Sequence, residues 1–391
     1  MSISTSQSQL ELHRQQFPAL ANKTYFNYGG QGPIPQSAIE ATNSAQEYIQ
    51  TYGPFSTKVN GWIANQVEET RNAIALELNT TPDTITLTED VTVGCNIALW
   101  GINWQQGDRI LLTDCEHPGI IATVREIGRR FGVKIDTCPI MATLNEGDPT
   151  QVIEQHLKPR TRLVVLSHLL WNTGQVLPLD KIIKVCKGAN VRILADAAQS
   201  VGSLPINLTE LGVDFYAFTG HKWWCGAAGV GGLYVHPEAR ESLQPTFIGW
   251  RGILTDSKGN PTGWQPDGRR YEVATSAYGQ YAGLRKAIAT HQQWGTTEER
   301  YRQICDSSKY LWEKLTQIPE VKCLKASPPE AGLVSFQVDN NRQLVEFLEE
   351  QKIMTRILLD PTCVRACVHY LTLTSEIDRL VAAIESNIRN I

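Results

Sequence analysis

A lysine that bonds covalently to a carbonyl compound must be partly neutral, and in a protein that requires a poorly solvated amine. Lys222 is placed for such a role. It follows an apolar, aromatic run at 214–218 that reads as a buried strand broken at Thr219-Gly220, and it precedes Trp223-Trp224 and a glycine cluster. The same stretch also fits a lysine whose stem lies along a hairpin while its head reaches water. Asp196 follows a second apolar run at 191–195, where a carboxylate must be paired, metal-bound or protonated. His117 and Asn172 come shortly after two further apolar runs, at 109–113 and 162–168. Four polar side chains past the carboxyl ends of separate buried strands form the pattern of a ligand crevice in an open α/β sheet.

The elements that must position them alternate along the chain. Strands are predicted at 86–88, 109–113, 133–136, 162–168, 191–195, 214–218 and 233–235. Helices are predicted at 37–52, 65–78, 120–131, 150–157 and 179–186, with another leading from Glu89 to Trp100. Near-continuous apolar strands between helices predict an α/β fold, a mostly parallel sheet covered on both faces. Two loops bear on the site. Gly29-Gly30-Gln31-Gly32 lets a backbone approach a ligand closely, or is a plain surface turn. The turn before the helix that holds Val91 and Thr92 offers free amides to a phosphate, or is simply a capped helix start.

Past Tyr234 the regularity fades. Residues 245–280 read as long loops and 278–290 as a helix. Helices at 296–315 and 341–351, strands at 332–338, 353–359 and 364–370, and a last helix from Ser375 to Ile391 then predict a smaller α+β unit. The expected division is a large domain over 21–290 and a small one built from 1–20, where 6–20 carries helical spacing, and 291–391.

Composition excludes several classes. At 391 residues, 42% hydrophobic and 19% charged with net charge −4, the chain has no basic footprint for nucleic acid and no apolar run of membrane-spanning length. Nine cysteines without a C-x-x-C pair, behind a polar N-terminus, predict reduced thiols in the cytoplasm. No metal-ligand spacing is present, and the glycines after Lys222 precede a strand, which does not fit a dinucleotide fingerprint.

Asp196 and Lys222 could satisfy each other as a salt bridge. Alternatively, one ligand carries a protonated ring nitrogen for Asp196 and an aldehyde for Lys222. Pyridoxal phosphate has both, with a flat ring for His117, a phenolic oxygen for Asn172 and Gln199, and a phosphate for Thr92, Thr219, His221 and nearby amides. It accounts for every polar group at that edge, whereas the salt bridge accounts for two.

Thr219-Gly-His-Lys222 after an apolar strand, Asp196-Ala-Ala-Gln199 and Glu116-His117 upstream, Asn172 within Trp-Asn-Thr-Gly, Thr275, and Arg365 followed by Ser375-Glu-Ile-Asp-Arg379 together resemble the cysteine-desulfurase-like group of class-V aminotransferases. These are fold-type I pyridoxal-phosphate enzymes, and the resemblance covers nearly the whole chain. It implies that Lys222 bonds the cofactor, Asp196 pairs with its ring nitrogen and His117 stacks on the ring. It implies Val91, Thr92, Thr219 and His221 at the phosphate, and Asn172 and Gln199 at the ring oxygen. Thr275 would reach in from the second subunit of a homodimer whose active sites lie at the interface. Arg365 would clamp the substrate carboxylate, with Asn172, Gly29 and Gly30 lining the substrate space.

One departure directs the reaction. Where desulfurases carry a nucleophilic cysteine after an Arg-Thr-Gly turn, this chain has Arg356-Ile-Leu-Leu-Asp-Pro361, with Cys363 two residues on and no obvious mobile loop. A second is Val91 where relatives often have a threonine. The combination resembles the C–S lyases that act on cystine or cysteine. Lys222, freed by the substrate amine, would remove the Cα proton. Sulfur would leave Cβ as persulfide or sulfide, and the remaining aminoacrylate would hydrolyse to pyruvate and ammonia, with the sulfur available for iron–sulfur clusters. The alternatives are a desulfurase that releases alanine through Cys363 or another thiol, and a non-catalytic binding protein on the same fold.

Overall fold

The computed structural model describes residues 2–389, with side chains from residue 8 onward. Its centre is a seven-stranded sheet of β1 (Ile85–Thr88), β2 (Arg109–Thr113), β3 (Lys134–Cys138), β4 (Thr161–Ser167), β5 (Arg192–Asp196), β6 (Phe215–Thr219) and β7 (Gly231–Val235). The spatial order is β1-β7-β6-β5-β4-β2-β3. The pairs from β6 through β5, β4 and β2 to β3 are parallel, and β7 runs antiparallel to both its neighbours.

Side-chain alternation along these strands builds two cores. In β4, Val164 and Leu166 enter one and Leu163 and Val165 the other, and all four are fully buried. Each such side chain contributes about 1.5–3 kcal/mol of burial. A strand covered on both faces therefore reads in sequence as a continuous apolar run. Helices Val91–Gly101 and Pro118–Phe131 cover one face; Leu179–Gly188 and Tyr278–Trp294 contribute to the other.

A second sheet contains β8 (Lys322–Cys323), β9 (Leu333–Gln337), β10 (Arg356–Leu359) and β11 (Thr362–Cys367) in the order β8-β9-β11-β10. It packs with helices Thr297–Leu315, Asn341–Glu350 and Thr374–Arg389 around a third core. Thr24-Tyr25 pairs in parallel with Ile353-Met354, and Phe26 lies in this third core. No helix among the described residues is long and apolar enough to cross a membrane.

Several element boundaries differ from expectation. The helix expected from residue 65 begins at Thr57, capped by Ser56 Oγ accepting from the Val59 N–H, because a cap and one buried valine start it ahead of the apolar stripe. The stretch 245–280 contains a hairpin, Ile253–Thr255 with Pro261–Trp264. Its residues are mostly exposed, so no burial period marks it. The strand expected over 353–359 is two, because Ile353-Met354 and Arg356–Leu359 pair with different partners. The expected end of the last helix at residue 391 lies outside the described residues.

Candidate active site

Asp196 ends β5, Ser167 ends β4 directly opposite it, and Lys222 follows β6 by three residues. These strand ends and the loop at Gly29-Gly30 enclose a cavity of about 280 Å³. Val91, Thr92, His117, Gln199, His221 and Arg365 also line it.

The Lys222–Asp196 pair behaves as a ligand site requires. No ion pair joins them among the described residues. Asp196 is 6% exposed, with Oδ1 accepting from the Ala198 N–H at 2.9 Å. Burial raises its pKa, against that N–H, Lys222 and His117. Burial brings the Lys222 amine down to about 8; Asp196 opposes the shift, and the Arg365 and Arg356 guanidiniums add to it. Only the neutral amine attacks a carbonyl. Capture of an aldehyde by ligand-free protein is therefore expected to accelerate with pH through about 8, well below the ordinary lysine range. Adducts formed with pyridoxal across a pH series, trapped by borohydride and mapped to Lys222 by mass spectrometry, check this.

His117 caps helix Pro118–Phe131, with Nδ1 accepting from the Gly119 N–H at 3.2 Å. The neutral ring therefore carries its proton on Nε2, and its exposed face is free to cover a flat ligand. Beneath it, Glu116 accepts from the Ser167 amide and pairs with the Ser167 and Thr113 hydroxyls, and burial pushes its carboxyl up to about 8. Val91 and Thr92 form the first turn of their helix, whose leading amides have no intrahelical partner. Asp90 caps that turn through the Val93 N–H. Thr219 Oγ1 lies 2.6 Å from His221 Nδ1 and reaches the cavity through that histidine.

Two amides are partly committed to the protein. Gln199 donates to the Gly29 carbonyl and accepts from Trp223 Nε1. Asn172 donates to the Asp360 carbonyl, which leaves its buried Oδ1 unpartnered. Gly29 is required by space: a Cβ there would lie 2.9–3.0 Å from Cys367 Sγ, Gln199 Oε1 and Arg365 Nη2. A Cβ on Gly30 would meet the Asn27 amide at 2.8 Å.

Arg365, in β11, is 2% exposed; Nη1 donates to the Trp171 carbonyl at 2.8 Å and Nε is unpartnered. Directly across the ladder stands Arg356 of β10, a lining residue that the sequence reading passed over. It is exposed and joins no ion pair among the described residues. Its signal is a strand register, which becomes visible only once β10 and β11 pair. Cys363 sits on the strand face of Arg365 but is fully buried and outside the lining; burial pushes its thiol up to about 11. Strands β10 and β11 are joined by Asp360-Pro361 alone, so no loop carries a thiol inward. Thr275 lies elsewhere, in a groove of about 1110 Å³ with Phe55, Ile63, Trp250 and Tyr278.

The buried carboxylate, the unpaired amine and the helix N-terminus that line the cavity fit the ring nitrogen, aldehyde and phosphate of pyridoxal phosphate, whereas Asn172, with its orphaned oxygen, is not among the lining residues. Comparison with known proteins gives the same direction. The chain is similar to the crystallised cystine C-S lyase C-DES in complex with its reaction product cysteine persulfide, at 55% identity, TM-score 0.93, and 94% and 98% coverage of the two chains. A lysine-to-alanine mutant of C-DES, with glycine covalently linked to the PLP cofactor, matches equally. A cysteine desulfurase from Klebsiella pneumoniae (strain 342) is 27% identical over 96% of this chain and 97% of its own length. The aminotransferase class-V family model matches residues 24–380, and the chain belongs to that family.

Proposed function

We propose that the chain is a pyridoxal-phosphate-dependent C–S lyase acting on cystine or cysteine, giving pyruvate, ammonia and a persulfide or sulfide. The observation that carries this reading is a cavity with an amine, a buried carboxylate and two guanidiniums but no thiol in its lining. When bound, pyridoxal phosphate supplies an aldehyde for Lys222 and a ring that takes up the electron pair left by the Cα proton. Asp196 keeps the ring nitrogen protonated, His117 covers the ring, and Arg365 holds the substrate carboxylate. Lys222, its amine free once substrate is held in the site, would take the Cα proton. The Cβ–S bond then breaks with its electron pair going to sulfur, and water completes the hydrolysis to pyruvate and ammonia.

Asn172 and Gln199 address the ring oxygen, while Val91, Thr92, Thr219 and His221 hold the phosphate. The working unit is a homodimer. Trp250 and Phe55 are 60% and 77% exposed beside the Thr275 groove, a surface suited to a second copy that receives Thr275 in its own site. Residues 21–290 form the large domain, and 1–20 with 291–391 the small one. The thiols are free, in keeping with a cytoplasmic protein that supplies sulfur for iron–sulfur clusters.

The test is the carbon product from L-cystine and L-cysteine. Pyruvate with ammonia is expected, at a rate unchanged in Cys363→Ser. Alanine, abolished by that substitution, would instead establish a desulfurase.

A further inference from the structure

Behind Lys222 lies a buried cluster of histidines and aromatics that the reaction itself does not use. Four successive carbonyls around the lysine are each held from a different direction. His221 O accepts from the Gly32 N–H at 2.8 Å, and Lys222 O accepts from the Cys225 N–H at 3.0 Å. Trp223 O is bonded by His369 Nε2 at 3.1 Å, and Trp224 O by His291 Nε2 at 2.9 Å. The turn ends at Cys225 with φ 51°, a left-handed conformation that a residue with a Cβ rarely adopts unless its surroundings impose it.

A carbonyl only accepts, so both imidazoles carry their proton on Nε2. That assignment fixes the rest of the chain of bonds. His291 Nδ1 must accept from Tyr370 OH, at 2.6 Å, and the Tyr370 oxygen accepts from His13 Nε2 at 3.1 Å. His13 Nδ1 then accepts from Gln16 Nε2 at 3.0 Å. Every bond points one way, from the first helix through the C-terminal segment to the peptide two residues after Lys222. His369 is fixed independently, stacked on Tyr28 at 4.5 Å and 12°. Burial keeps all three histidines neutral, lowering His369 to about 3 and His291 well below its ordinary value.

We propose that His369 and His291 are positioning residues for Lys222: by holding the Trp223 and Trp224 carbonyls they keep the lysine turn closed, so that its amine stays in the cavity beside Asp196 and away from water. This rests on the reading that Lys222 is the residue that bonds pyridoxal phosphate. The charged and titratable groups that share the cavity with the amine are Asp90, Asp196, Arg356, Arg365, His117 and His221, and Cys367 acts on it from outside the lining; none of them is altered when a histidine behind the turn is replaced. Opening the turn admits water to the amine, and solvation raises the pKa of a lysine that burial had lowered.

The test uses the full chain freed of cofactor. The rate of bonding to added pyridoxal phosphate is followed against pH, with the site mapped by mass spectrometry and the melting temperature measured in parallel. His369→Leu, which removes the donor, is expected to move the rate midpoint upward by about one pH unit, a tenfold fall in neutral amine. His369→Gln keeps an N–H at that position and is expected to restore the parent midpoint. Tyr370→Phe leaves His291 in place without the hydroxyl that orients it, and is expected to shift the midpoint upward by a smaller amount. An unchanged midpoint in folded His369→Leu, with only the melting temperature lowered, would overturn the proposal. So would a glutamine variant displaced as far as the leucine one. Should His369→Leu not fold, an unchanged Tyr370→Phe midpoint overturns it. A parent protein that bonds the cofactor at a residue other than Lys222 would refute the underlying reading, and the proposal with it.

Discussion

Lys222→Ala is expected to lose at least about 10³-fold in kcat, since positioned proton transfer alone contributes 10²–10⁴-fold and the covalent hold on the cofactor disappears with it. Borohydride treatment followed by mass spectrometry should then find no pyridoxal phosphate fixed to the chain. Non-covalent binding should persist, because Asp196, His117 and the Val91-Thr92 turn remain. The loss is not a folding defect. Lys222 is a half-buried amine without an ion pair in a cavity that also holds two guanidiniums, so its removal takes away a poorly solvated charge and, in the opposite direction, a cation that favours the Asp196 carboxylate. These two effects oppose each other, and the melting temperature of the cofactor-free variant is therefore expected to stay close to that of the parent. Unimpaired pyruvate formation by Lys222→Ala would refute the assignment. Asp196→Asn makes a useful contrast: the covalent bond to Lys222 should survive while turnover falls.

The site was legible where its residues stand at the ends of strands buried on both faces. β2, β4, β5 and β6 are short, apolar and flanked by turns, so Asp196 and Lys222 could be placed at one edge from the sequence. Ser167 lines the same edge but gave no signal, because a serine closing an apolar strand is unremarkable until its register opposite Asp196 is known. Arg356 escaped notice for a related reason: its meaning comes from standing across from Arg365, a pairing fixed by the Asp360-Pro361 turn. The histidines behind Lys222 were still less visible. His13, His291 and His369 are far apart in sequence and meet only through Tyr370 and the tryptophan carbonyls. The sequence reading did anticipate that Cys363 lacks a mobile loop. Sequence alone could not give its full burial, which makes its thiol a poor nucleophile as well as an ill-placed one.

The paired arginines lead to the second large expected effect, which separates the two candidate substrates. Arg365 is buried with one donor spent on the Trp171 carbonyl, leaving the rest of its fork for a carboxylate. Removing one partner of a buried, hydrogen-bonded charge pair costs about 2–5 kcal/mol. Arg365→Ala is therefore expected to lower kcat/KM for cystine and cysteine alike, by roughly 30-fold to several thousand-fold. Arg365→Lys should recover only part of this, because an ammonium does not reproduce the bidentate fork. Arg356 is exposed, so solvent screens it and its contribution is smaller. Cysteine has one carboxylate and cystine has two, the second lying several bonds beyond the sulfur. A guanidinium across the strand pair from Arg365 suits that distal group. Arg356→Ala is thus expected to raise KM for cystine about fivefold, near 1 kcal/mol, and to leave KM for cysteine within about twofold. Equal effects on both substrates would place Arg356 on the shared carboxylate and leave cystine without a distal anchor in this chain.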